Sequence, residues 1–157
     1  MPPQLLFDPS TLDLDNVILD QKQIAEINPQ SFEFAMLDGI YLMDYESGNM
    51  AGFRDVRDDE FWVRGHIPGR PLFPGCLMIE TAAQLVSYFA MSQERDRGFL
   101  GFGGVDGVKF RGSVVPGQRI LMLGKIIERR RRRWVGGTQA LVDGKLVYEG
   151  TITGVWM

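Results

Sequence analysis

The stretch Pro74-Gly75-Cys76-Leu77-Met78-Ile79-Glu80-Thr81-Ala82-Ala83-Gln84-Leu85-Val86-Ser87-Tyr88-Phe89-Ala90-Met91-Ser92-Gln93 decides the fold. It reads as one long helix, opened by Pro74-Gly75 and running from Cys76 to about Gln93. Leu77, Met78, Thr81, Leu85, Tyr88 and Phe89 recur at three- and four-residue spacing. Ile79, Ala82, Ala83, Val86 and Ala90 fill the other faces. A helix apolar nearly all round is buried on most of its sides. Glu94-Arg95-Asp96-Arg97-Gly98 returns the chain to the surface.

Around that helix the patterns are those of turns and strands. Residues 1–19 read as an irregular extension with a turn at Asp8-Pro9-Ser10. Asp20 is placed to cap a short helix over Gln21–Ile27, which Asn28-Pro29 would stop. Phe34–Tyr45 and Met50–Val56 read as strands joined by Glu46-Ser47-Gly48-Asn49. After the helix come expected strands at Phe99–Phe102, Gly104–Ser113, Ile120–Arg131, Trp134–Val142 and Lys145–Val155. Val115-Pro116-Gly117-Gln118 and Asp143-Gly144 mark turns. The order gives an α+β class, one antiparallel sheet wrapped around one helix, in a single domain over 1–157. Such a sheet leaves an edge to protect, so at least a dimer is expected.

The chain has 157 residues, 45% hydrophobic and 24% charged, with a net charge of -3 and one cysteine. The charge disfavours nucleic acid as the default partner. Cys76 alone makes no internal disulfide and fits a reducing, cytoplasmic setting. No signal peptide is read in the first residues. The longest uncharged apolar run, Thr81 to Gln93, is too short and too polar to span a bilayer.

Upstream of the helix, Gly65-His66-Ile67-Pro68-Gly69-Arg70-Pro71-Leu72-Phe73 holds the only histidine, between rigid Pro/Gly turns. A lone histidine is commonly structural, but here Gly65 admits close backbone approach and Pro68, Gly69 and Pro71 fix the path that follows. Imidazole titrates near neutral pH and suits a general base. Glu80 sits among apolar or small residues at 77–79 and 81–83. A carboxylate on a buried helix must be hydrogen-bonded, paired or protonated, and the last state is what a general acid requires. The helix start at Gly75 and Cys76 aims backbone N–H groups where a thioester or enolate oxygen could sit. Cys76 itself reads as a small packing residue rather than a nucleophile. Gln84, one turn after Glu80, either holds the carboxylate or satisfies another buried polar group. Phe89, Met91, Phe99 and Phe102 are candidates for lining a pocket or for core. The run Arg129-Arg130-Arg131-Arg132-Arg133 reads first as a charged solvated edge, then as a nucleic-acid tract or a patch for an acidic carrier protein.

These residues together resemble a known family. Gly65 through Gln84 looks like the signature of the β-hydroxyacyl-acyl carrier protein dehydratases of the FabZ/FabA type, and the histidine-to-glutamate interval matches without a gap. Asp59-Glu60-Phe61-Trp62, Val108–Gly117 and Val142–Val147 extend the likeness over roughly residues 24–153. The resemblance implies a hotdog fold, as a homodimer or a trimer of dimers, with His66 of one subunit facing Glu80 of the other. It implies that His66 removes the α-proton of a 3-hydroxyacyl thioester, that Glu80 handles the departing hydroxyl, and that the Gly75 N–H holds the carbonyl. The partner it implies is an acyl carrier protein, with no metal or redox cofactor. Glu80 is like the FabZ branch; Cys76 echoes the FabA branch, which carries aspartate at the acid position. Pro29-Gln30-Ser31, Ile67 and Gln118 depart from the usual Pro-His-Arg, phenylalanine and aspartate, which leaves chain length, carrier contacts and pathway open. The alternatives are a hotdog thioesterase, which would leave the His66 loop idle, and a non-catalytic acyl-carrier-binding module.

Overall fold

The computed structural model describes residues 3–157. Seven strands form one antiparallel sheet: β1 (Leu19–Asp20), β2 (Gly39–Asp44), β3 (Asn49–Asp55), β4 (Leu100–Phe110), β5 (Arg119–Arg129), β6 (Arg133–Val142) and β7 (Lys145–Trp156). Their order across the sheet is β1-β2-β3-β5-β6-β7-β4. Two helices accompany it, α1 (Gln21–Ala25) and the long α2 (Gly75–Gln93). The chain leaves β3, makes the His66 loop, runs through α2, and rejoins the sheet at the far edge as β4. Asp143 and Gly144 both take positive φ, at 50° and 77°, as a two-residue hairpin between β6 and β7 requires.

The helix packs on one face of the sheet because both surfaces are apolar. Leu77, Met78, Ala82, Leu85, Val86, Phe89 and Ala90 of α2 are buried with Met50, Ile120, Met122, Trp134 and Ile152 of the strands. Gly136 of β6 leaves room for the helix: an added Cβ there would lie 2.9 Å from Cγ2 of Val86. Among the described residues, no helix is long and apolar enough to cross a membrane.

The strands differ from the sequence reading in instructive ways. Of the expected strand Phe34–Tyr45, only Gly39–Asp44 pairs; Phe32–Phe34 is a 3-10 turn. The reason is a side chain: the Met36 N–H goes to Oε1 of Gln84 at 2.9 Å rather than to a neighbouring strand. The two expected strands of 99–113 are one, bent where its register shifts between Phe102 and Gly104 and between Asp106 and Lys109. The arginine run is the β5–β6 hairpin tip and its flanks, not a sheet edge. Arg129 pairs with Glu94, and Arg130 and Arg133 both pair with Glu128. Asp20 caps α1 with a reciprocal Gln23 contact, and the helix stops at Ala25, short of the expected Ile27.

Among its described residues the N-terminal extension is irregular apart from one 3-10 turn, and it runs into β1 at Leu19. It packs nonetheless. Leu5, Leu6, Phe7 and Leu12 lie against a second cluster of Tyr41, Ala51, Phe53, Leu123 and Leu141. Gln139 fastens it, accepting from the Leu6 N–H at 2.8 Å and donating to the Gln4 carbonyl at 3.0 Å.

Candidate active site

Glu80 lies in the second turn of α2 and opens into a cleft between that helix and strands β4 and β7. The walls include Ala83, Val86, Phe99, Leu100, Phe102 and Ile152, with Gln30 and Gln84. Burial among these groups pushes the Glu80 carboxyl above its ordinary value, and the hydrogen bond from Gln84 opposes the shift. Gln84 serves both roles open in the sequence. Its Nε2 donates to Glu80 Oε1 at 2.8 Å and to the Phe34 carbonyl at 2.7 Å, while its Oε1 accepts from Met36. Its own carbonyl takes a hydrogen bond from Asn28 at 3.0 Å. One glutamine therefore orients the carboxylate and ties the 34–36 segment to the helix.

His66 sits in a loop built from short backbone turns. Its N–H donates to the Trp62 carbonyl at 2.8 Å, Ile67 and Arg70 bond reciprocally, and the Leu72 N–H returns to the His66 carbonyl. Trp62 is buried edge-on to Phe73, ring centroids 5.5 Å apart. His66 itself is exposed, and its Nδ1 lies 2.8 Å from the Leu72 carbonyl. A carbonyl only accepts, so Nδ1 carries the hydrogen and the neutral ring keeps its Nε2 lone pair for a proton. His66 is not among the residues lining the Glu80 cleft of its own chain.

Pro74 is the N-cap of α2 and has no side chain to accept an N–H. Its carbonyl takes Leu77 and Met78, leaving the amides of Gly75 and Cys76 uncapped at the positive helix end. A Cβ on Gly75 would lie 2.7 Å from Cζ of Phe110, so β4 closes over the helix start. Cys76 is exposed in this chain, contrary to its reading as a packing residue, while Leu77 and Met78 beside it turn into the core. Phe99 and Phe102 line the cleft, whereas Phe89 and Met91 are core.

One cluster near the site was missed in the sequence. Arg54 of β3, 3% exposed, binds Asp38 at 3.2 Å and also Glu60, whose other oxygen takes the Arg57 N–H. It anchors the first turn of the His66 loop to the sheet. The only available signal was a charge inside an otherwise buried strand.

The fold, one antiparallel sheet against one long helix, is that of a hotdog protein. The FabA-like domain family matches residues 28–151. A 3-hydroxyacyl-[acyl-carrier-protein] dehydratase FabZ of Streptococcus equi subsp. zooepidemicus is 35% identical over 137 residues, 87% of this chain and 96% of the relative. The FabZ of Streptococcus agalactiae serotype V is 34% identical over the same shares. Among solved structures, the dehydratase heterocomplex ApeI:P of Xenorhabdus doucetiae superposes with a TM-score of 0.72 at 11% identity, covering 85% of this chain and 90% of that one. A hypothetical thioesterase with coenzyme A from Streptococcus pneumoniae TIGR4 gives 0.63 at 12% identity, covering 87% and 96%. These two likenesses establish the hotdog fold. The chain belongs to the FabA-like family of hotdog dehydratases, with FabZ-type relatives.

Proposed function

We propose that this chain dehydrates 3-hydroxyacyl thioesters, carried on acyl carrier protein, to trans-2-enoyl thioesters in fatty-acid or related lipid synthesis. The observation that carries the reading is the pairing of roles: a histidine whose Nδ1 is taken by a backbone carbonyl and a half-buried glutamate whose carboxyl burial pushes above its ordinary value. His66 Nε2 takes the C2 proton. The charge that moves onto the thioester oxygen meets the Gly75 and Cys76 amides. Glu80 gives its proton to the C3 hydroxyl, the C3–O bond breaks, water leaves, and the C2–C3 double bond forms. The proton on His66 returns to Glu80 through solvent, closing the cycle. No metal or redox group takes part in these steps.

Among the described residues the Glu80 cleft of one chain holds no histidine, and β4 presents a free edge with Phe102 and Phe110 exposed. We place His66 of a second copy opposite Glu80, in a homodimer. Cys76 as the single cysteine is in keeping with the reducing cytoplasm.

The test is absorbance at the enoyl-thioester band with crotonyl and 3-hydroxybutyryl thioesters on acyl carrier protein. Interconversion is expected, with a loss of about 10²–10⁴-fold in His66→Ala at unchanged far-UV circular dichroism. Free thiol without enoyl product would move the assignment to a thioesterase, and carrier binding without turnover to a non-catalytic module.

A further inference from the structure

Gln30 follows α1 and reaches the Glu80 cleft, and its amide oxygen is not used by the fold. Oε1 of Gln30 is buried without a hydrogen-bond partner, and it is the one such side-chain atom of the cleft among the described residues. The neighbouring amide of Gln84 is committed on both ends, to Glu80, Phe34 and Met36. The Ser87 hydroxyl turns away to the sulfur of Met91 at 3.6 Å. A buried carbonyl without a partner is costly, so an acceptor left unpaired on a residue that lines the same cleft as the acid is matched to a donor that arrives with the ligand.

The dehydratase reading supplies that donor, and this inference rests on it. A C3 hydroxyl entering the cleft must receive a proton at its oxygen and has one O–H of its own to place. We propose that Gln30 Oε1 accepts the hydrogen of the substrate's C3 hydroxyl while Glu80 donates to the same oxygen. The two contacts fix the hydroxyl with a lone pair toward Glu80, and Gln30 keeps hold of the hydrogen as the oxygen leaves as water. Gln30 is then a substrate-binding residue that reads the 3-hydroxy group. An acyl chain without that group leaves the acceptor unpaired, as it is in the free protein.

The test compares two non-reacting pantetheine amides, 3-hydroxybutyryl and butyryl, binding to the full chain by calorimetry. Wild type is expected to prefer the hydroxylated ligand about tenfold or more. Gln30→Met is expected to abolish that preference by weakening the hydroxylated ligand alone, and to lower kcat for dehydration. Equal weakening of both ligands would mean a structural role and overturn the proposal, as would an unchanged preference in the variant. The wild-type comparison stands without any variant: no preference there overturns the proposal directly. A protein that forms no enoyl thioester at all would instead refute the dehydratase reading, which separates the two failures.

Discussion

Glu80 is under two opposed influences, burial that favours its protonated form and the Gln84 donor that favours the charged one, and burial prevails. Its proton is therefore bound more tightly in the folded than in the unfolded chain. The stabilisation this gives is complete below the ordinary carboxyl value of 4.5 and is lost as pH climbs through the raised folded value. Glu80→Gln keeps an oxygen for Gln84 but does not titrate. Its Tm advantage over wild type should therefore be smallest near pH 4, widen as pH rises above that value, and then level off. A difference in Tm that stays constant with pH would show that burial does not govern this carboxyl. Glu80 and His66 were legible in the sequence because each is out of place locally, a charge among apolar neighbours and a single imidazole between rigid turns. Gln30 carried no such mark, since only the folded cleft shows that its oxygen is buried and unpaired. The exposure of Cys76 was also beyond local reading, because composition does not tell which way the first helical turn faces.

At the scale of elements, two junctions hold the site: the start of α2 under β4, and β3 against the His66 loop. Gly75→Ala should place its methyl against the Phe110 ring and cost about 1–3 kcal/mol with a loss of turnover. Adding Phe110→Leu should recover most of both, as measured by denaturant midpoint and enoyl absorbance; no recovery would mean that Phe110 is not what closes over Gly75. Arg54→Met leaves the Asp38 and Glu60 carboxylates without their buried cation, and should cost about 3–5 kcal/mol in urea unfolding. A near-neutral result would show the pairs contribute nothing net. The long helix and the Asp143-Gly144 hairpin were legible because each rests on local chemistry: apolar residues round a helix, and a turn that needs positive φ. The strand expected over 34–45 was not, because the partner of Met36 is a side chain 48 residues away. The division of 99–113 into two strands failed for a related reason: its glycines bend one strand without ending it.

In the whole molecule, the sheet has a helix on one face and the N-terminal extension on the other, and its last edge is β4. That the extension packs through Leu5, Leu6 and Phe7 was not visible in turn-rich sequence, where apolar residues lack a period. The free edge, with the exposed aromatic side chains of β4 and a cleft that among the described residues holds Glu80 but no histidine, accounts for the proposed shared site. The most direct measurement mixes two variants, His66→Ala and Glu80→Gln, each expected to lose nearly all activity alone, unfolded together and refolded at equal ratio. Random pairing makes half the dimers mixed, each with one intact His66–Glu80 pair, so dehydration should return to about a quarter of the wild-type rate. No recovery, with mixed dimers confirmed by mass spectrometry, would contradict a site built from His66 of one chain and Glu80 of the other.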